Sequence, residues 1–499
     1  MKGRQRERRA VKAKNWRVWA MVAALLVCWA LPAGSAQAAD IPEPPQVISD
    51  GGDGLFVFWE QGEQVRGQHL DGEGQLLWPK GGLRFTGEGS RAYSLSAVPD
   101  GSGGALLAWQ GGEIGQQVLR TQRVSADGSL VWVQGGIIMA ASPGGLLPGG
   151  IVSDGSGGAL LTWSISDGQF PDRLQRLSAQ RLDARGRPAW TPPEGVLLAQ
   201  GEYIDRAALA SDGAGGLYCA WRDHGEQAFG FYLQRFDAGG RPAWEKPYEL
   251  GQEGGSDWEL VLAEDGAGGV LVGRRNGTAG ILRLQRLSAQ GEPLWSGEGL
   301  HLAPVEAPEV PLPSVLPDGQ GGALVAWGGS SYAELGGKLG VFAQRIDPSR
   351  KPLWGAQPLF VLSGEGKRLD VSLAAAQDSG AFVAWRAGYR QGGGTVSVQK
   401  LDAEGNPFWG EEGIRPFPSD LFAAQGFPLV LSERDGGALV VARAGYTSGT
   451  QNLIYAQRLD AKGAPLWGSE GVQVASLWSS PGGVIGFFKR AGRWLRSLF

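Results

Sequence analysis

One phrase recurs eight times along this chain of 499 residues. Its clearest copies read Gln-Arg-Leu-Asp-Ala-x-Gly-x-Pro-x-Trp, and every copy closes on a tryptophan: Trp78, Trp132, Trp190, Trp244, Trp295, Trp354, Trp409 and Trp467. Successive tryptophans lie 54, 58, 54, 51, 59, 55 and 58 residues apart. A period that drifts only by loop-sized steps marks one structural unit copied along the chain, so the length counts copies within a single body.

Each unit opens on an Asp-Gly turn followed by a short apolar run, as in residues 100–109 and 318–327. Glycine-rich turns between such runs signal hairpins. The run Ala-Leu-Leu-Ala-Trp does not alternate polar with apolar, which suits a strand covered on both faces. A second run passes through Gln-Arg-Leu-Asp. A segment after each tryptophan (471–474) and a stretch before each Asp-Gly turn (95–98) bring the count to four strands per copy. Four-stranded units with a period near 50 describe propeller blades. The expectation is an all-β chain, an eight-bladed β-propeller of four-stranded antiparallel blades over residues 45–476.

The repeated residues then acquire structural roles. The tryptophans are expected to wedge between blades with each indole N–H on a neighbouring backbone carbonyl. Gln68, Gln122, Gln180, Gln234, Gln285, Gln344, Gln399 and Gln457 are expected to form a hydrogen-bond ladder between blades, with lining of the axial channel as the other reading. One carboxylate per Asp-Gly turn is accounted for by the turn itself, since calcium takes several oxygens together.

Both ends differ from the body. Lys2, Arg4, Arg6, Arg8, Arg9, Lys12, Lys14 and Arg17 precede an apolar run over 18–31 and then Ala36-Gln37-Ala38. This reads as a secretory signal helix over 1–38, too short in apolar length to span comfortably, and implies an exported protein, periplasmic, extracellular or cell-surface associated. Beyond it Cys219 is the only cysteine, so burial rather than disulfides must hold the body together. Residues 482–499 place Val484, Phe487, Phe488, Ala491, Trp494, Leu495 and Leu498 on one side of a helix, and Lys489, Arg490, Arg493 and Arg496 on the other. Such a basic amphipathic helix suits contact with a membrane surface or a partner, or folding back onto the body.

The leader takes 8 of the 46 basic residues and the tail 4, leaving 34 basic against 49 acidic residues between them, a net of −15. A body of that charge repels phosphate backbones and argues against nucleic acid as partner.

The phrase Leu-Asp-Ala-x-Gly-x-x-x-Trp at 182–190, 401–409 and 459–467 resembles the tryptophan-docking repeat of pyrroloquinoline-quinone-like propellers, with one residue fewer between Asp and Gly. The resemblance implies eight blades and includes both quinone dehydrogenases and non-catalytic outer-membrane assembly factors. The dehydrogenases use a vicinal cysteine pair that Cys219 alone cannot supply, so the resemblance points to the non-catalytic members and to no cofactor. Residues 125–132 are also similar to the Asp-box of sialidases, with the glycine displaced by one.

In a repeat protein structural residues recur, and departures are where a ligand is read. The tryptophan that ends the first apolar run (Trp59, Trp109, Trp163, Trp221, Trp327, Trp385) gives way to Arg274 in the fifth copy and, by the same reading, to Arg443 in the eighth. Just beyond stand Arg222, Asp223 and His224 in the fourth copy, Arg275 in the fifth, and Arg386 and Arg390 in the seventh. Equivalent positions share one face of a ring, so these residues are candidates for a patch that recognises a carboxylate or sulfate; the competing reading has them solvated or paired with nearby acids. His69, His224 and His301 fall in different copies, which offers neither a histidine metal site nor a histidine relay.

The function expected is a monomeric, non-enzymatic binding or scaffold protein at the cell envelope, recognising an envelope protein or an anionic glycan. The alternatives are a carbohydrate-active enzyme, glycosidase or lyase, and an envelope assembly factor.

Overall fold

The computed structural model describes residues 44–478 apart from the connecting segments 88–91, 114–115, 144, 168–173, 202–203, 226–227, 252–257, 277–280, 305–312, 331–338, 364–369, 390–391, 419–423 and 446–450. The leader and the basic tail, with their expected helices, lie outside the described residues. The chain is all-β and forms eight antiparallel sheets, each from one continuous stretch: residues 46–84, 92–142, 145–201, 204–251, 258–304, 314–363, 371–401 and 424–478, called blades 1 to 8. Strand order within each sheet follows the sequence. Blade 7 has three full strands, and its fourth place is held by a single bridge between Val398 and Ile414.

The first strands of successive blades neighbour one another around the ring, and blade 8 returns to blade 1. Because a single sheet has no interior, the core lies between blades. Eight apolar wedges result, each drawn from two adjacent blades, and the wedge of Leu439, Val441 and Trp467 with Leu55, Val57 and Trp59 closes the circle. The closure uses apolar packing and side-chain bonds to backbone carbonyls, and among the described residues no strand is exchanged between blades 8 and 1.

The two ends of the blades follow different rules. In every blade five residues separate the first strand from the second, as between Ser49 and Leu55 or between Ser432 and Ala438. This turn end also carries the repeated phrase. At the opposite, loop end the second-to-third strand connections vary from two residues (Gln61 to Gln64) to eight (Ser330 to Leu339).

The turn end is one lattice repeated eight times. Each phrase tryptophan donates its indole N–H to a backbone carbonyl of the next blade, in order Ala126, Ala184, Ala238, Ala289, Pro348, Ala403, Ala461 and finally Gly72, at 2.8–3.2 Å. The glutamines act differently from the expected ladder. Gln180 Oε1 accepts the N–H of Arg181 (2.8 Å) and of Trp190 (2.9 Å), while Nε2 donates to Pro193 O at 3.0 Å, all within one blade. The same clasp recurs at Gln122, Gln344 and Gln457. The segment before each tryptophan has little sheet pairing of its own, so the amide supplies the bonds that a ladder would otherwise give.

The residue after each glutamine completes the lattice. Asp100 Oδ1 accepts the N–H groups of Ser102 (2.7 Å) and Gly104 (2.8 Å), and Oδ2 accepts Arg123 Nε at 2.8 Å. Arg123 also reaches Ala184 O of the next blade, the carbonyl that Trp132 uses. Arg181–Asp154, Arg235–Asp212, Arg286–Asp265 and Arg345–Asp318 repeat the pair at 2.8–3.1 Å. Burial works to raise the Asp100 and Asp154 carboxyls, but the backbone N–H groups and the guanidinium outweigh it and hold both below the ordinary 3.8. The turn aspartates are therefore occupied by the fold. Among the described residues no group of three or more His, Cys, Asp or Glu side chains could hold a metal ion.

Candidate functional site

The register between second and third strands fixes which residues of the eight blades are equivalent. Val57, Leu107, Leu161, Cys219, Val272, Val325, Val383 and Val440 each face the glutamine of their own blade. Two residues on is the position of the large aromatic, Trp59, Trp109, Trp163, Trp221, Trp327 and Trp385, and there blade 5 has Arg274. In blade 8 the same place holds Ala442. Arg443 thus stands one position beyond the tryptophan site, which corrects the alignment expected from the sequence and moves it into register with Arg222, Arg275 and Arg386.

At that next position the ring reads Glu60, Gln110, Ser164, Arg222, Arg275, Gly328, Arg386 and Arg443. Four of blades 4 to 8 bring an arginine, and blades 1 to 3 bring none. Alternation along the strand turns this position toward the following blade: Glu60 accepts the N–H of Leu95 at 2.8 Å, and Gln110 donates to Leu146 O at 2.7 Å, both on the first strand of the next blade. The residues on either side turn toward the preceding blade. Gly251 of blade 4 lies against the Arg274 guanidinium, and Gly201 of blade 3 against the Asp223 carboxylate.

The candidate arginines therefore share the loop end of the ring but lie in the wedges between blades. Arg222, Arg274, Arg275 and Arg443 are buried, between 2% and 7% exposed. Acids meet two of them across the sheet: Arg275 pairs with Glu259 at 3.1 Å, and Arg386 with Asp370 at 3.2 Å. Asp205 stands opposite Arg222 in the register of blade 4, whereas Arg443 stands opposite Gly426. None of these arginine side chains is without a partner. His224 pairs with Phe229 through its backbone, and its side chain is outside the described residues, as are Arg390 and the tail from Phe487 to Arg496.

Glu259 and Asp370 do not stand out in the sequence. Their signal is positional: Glu259 is the second residue of the first strand of blade 5 and Asp370 directly precedes that of blade 7, each beside an arginine near the loop end of the second strand. A carboxylate-braced guanidinium wedged between blades, a buried pair of this kind, specifies geometry more than it adds stability.

Comparison with protein-family models finds no match, and comparison with curated proteins finds none. Solved structures align with much of the chain at low identity. Prolyl oligopeptidase B from Galerina marginata aligns with 81% of this chain and 55% of its own, at 12% identity and a TM-score of 0.44. Dipeptidyl peptidase 4 from Porphyromonas gingivalis aligns over 90% of this chain and 62% of its own, at 8% identity and 0.43. An ulvan lyase, a polysaccharide lyase, aligns over 72% of this chain and 90% of its own, at 12% identity and 0.41. The chain spans about half the length of the first of these, and their activities belong to those proteins.

Proposed function

We propose that this protein is an exported, non-enzymatic platform of the cell envelope that binds its partner on the loop end of the ring. The observation that carries the reading is the asymmetry between the two ends. The turn end commits its polar groups to one lattice copied around the circle, with turns of constant length. The loop end varies in connection length from blade to blade and gathers the arginines of blades 4, 5, 7 and 8. Recognition needs residues that differ from copy to copy, and a rigid scaffold with variable loops supplies them.

Both flanking segments join the ring at that same end, at Pro44 before the first strand of blade 1 and at Trp478 after the last strand of blade 8. A basic tail leaving there acts as a tether to a membrane surface or to the partner itself. We take the partner to be an envelope protein or an anionic glycan, met at this end by the connections that vary from blade to blade and not by the buried arginines.

The test is loop replacement. Blades 1, 2, 4 and 7 connect their second and third strands with two residues, so the longer segments 168–173 and 331–338 can each be replaced by Asn-Gly. The full-length protein and this variant are compared on an anionic glycan array and in capture from envelope extract. Retention by the parent and loss by the variant supports the platform; equal retention by both removes the loop end from the reading. Cleavage of an arrayed glycan would favour the carbohydrate-active alternative instead.

A further inference from the structure

In blades 1 and 2 a long polar side chain crosses the wedge at the loop end, Glu60 to the N–H of Leu95 and Gln110 to Leu146 O. Blade 6 has Gly328 at that position, and Ser314 of its first strand makes the crossing instead, donating to Val371 O at 3.5 Å. Blade 3 has Ser164. Its side chain is too short to reach blade 4, and its hydroxyl forms no hydrogen bond among the described residues. A cavity of about 220 Å³ remains between blades 3 and 4, lined by Leu147, Pro148 and Gly149 of the first strand of blade 3, by Ser164 and Leu177 behind them, and by Ile204 of blade 4.

The local sequence makes this space. Pro148 has no N–H to pair, and the register of the first strand slips beside it, between Thr162 and Trp163. Gly149 brings no side chain, and a Cβ there would overlap the Thr162 hydroxyl. Thr162 is fully buried and that hydroxyl has no partner. Thr162 and Ser164 stand two apart on one strand, so both turn toward blade 4. Ser164, 7% exposed, lies in the cavity wall, and Thr162 lies behind Gly149.

Buried hydroxyls are normally hydrogen-bonded, so two without partners beside an open space ask for one from outside. The remaining wall is aliphatic and holds water poorly; a cavity of about 150 Å³ with such a lining stays dry and takes up benzene. None of the lining side chains is charged. Asp223, the register partner of Ile204, lies against Gly201 on the outermost strand of blade 3, already has a partner, and disfavours an anion.

We propose that this cavity is a binding site for a small neutral molecule with a ring-sized apolar body and one hydroxyl, a simple phenol in class. The ring packs on Leu147, Leu177 and Ile204, and its O–H bonds to Ser164 Oγ, with Thr162 Oγ1 completing the polar corner. Leu147 is 51% exposed on the innermost strand, which gives the ring a way in.

Saturation-transfer NMR titration of the full-length protein with p-cresol, and with toluene as its counterpart lacking the hydroxyl, tests this. The parent should bind both saturably, and p-cresol about three- to tenfold more tightly, the contribution of one hydrogen bond. Ser164→Gln copies blade 2 and fills the space; it should lose saturable binding of both probes while melting no lower than the parent. Ser164→Ala keeps the space and should bring the two probes to within about twofold of each other. Absence of saturable p-cresol binding to the parent, undiminished binding by the Gln variant, or an unchanged preference in the Ala variant overturns the proposal. Neither variant alters the loops, so each of these results leaves the platform reading to its own test.

Discussion

At the scale of single residues, the closest approach between blades is made by backbone, and glycine is what allows it. Gly186 has φ +78°, and a Cβ there would lie 2.5 Å from Ile137 and 3.0 Å from the Trp132 indole of the preceding blade. Gly240 stands in the same relation to Trp190. Gly186→Ala therefore incurs both the left-handed penalty and the clash, and should lower stability by about 2–4 kcal/mol in denaturant unfolding. Blade 6 makes the opposite choice: Arg350 occupies this place at φ +74° and recovers part of the strain by donating to Ser296 O at 2.8 Å. Arg350→Gly exchanges strain relief for that exposed bond, so its stability should stay within about 1 kcal/mol of the parent. Gln180→Leu keeps the volume but strands the buried N–H groups of Arg181 and Trp190, and should cost about 2–4 kcal/mol by the same measurement.

At the scale of the blade, the unit of stability is the triangle of turn acid, lattice arginine and next-blade carbonyl. The Asp100 and Asp154 carboxyls lie below 3.8 in the folded chain, so their contribution is full above about pH 4 and is lost as pH falls through the folded values. Acid should therefore weaken this lattice. Asp154→Asn removes one such contribution, and its plot of unfolding midpoint against pH should be flatter than the parent's below pH 4; parallel curves would deny Asp154 that role. Much of this level is legible in the sequence, because Trp, Gly and Asp recur at fixed spacing and each has a local reason to. The glutamines are not, because a periodic polar residue shows that it has a constant partner but not whether that partner lies within the blade or across it. An arginine follows six of the eight glutamines, with His69 and Lys400 in the other two places, and binds a turn acid as Arg123 does Asp100, yet nothing in the spacing alone pairs the two. At the loop end the sequence sets Arg443 one residue out of register, because Ala442, where a tryptophan is expected, leaves the apolar run without its marker.

At the scale of the whole molecule, the way the circle closes makes a strong claim about connectivity. Each blade is a contiguous stretch, and blade 8 touches blade 1 through the same tryptophan bond, Trp467 to Gly72 O at 3.0 Å, that joins every other pair. The covalent break at the blade 8 to 1 seam is therefore one of eight nearly equivalent places where the chain could begin. The first strands of blades 8 and 1 are neighbours, and both flanks emerge at the loop end, so a short flexible linker can join Trp478 to Pro44 without crossing the ring. New termini can open between Gly201 and Ile204, where blades 3 and 4 are connected by two residues at the same end. The permuted chain keeps every interblade wedge, every tryptophan bond and every Arg–Asp pair, and exposes no new sheet edge. It should fold to the same β-rich circular dichroism spectrum and melt within a few degrees of the parent body. Had closure depended on a strand donated from the far terminus, permutation would split that blade and leave an unpaired edge, and the permuted protein would aggregate or melt far lower.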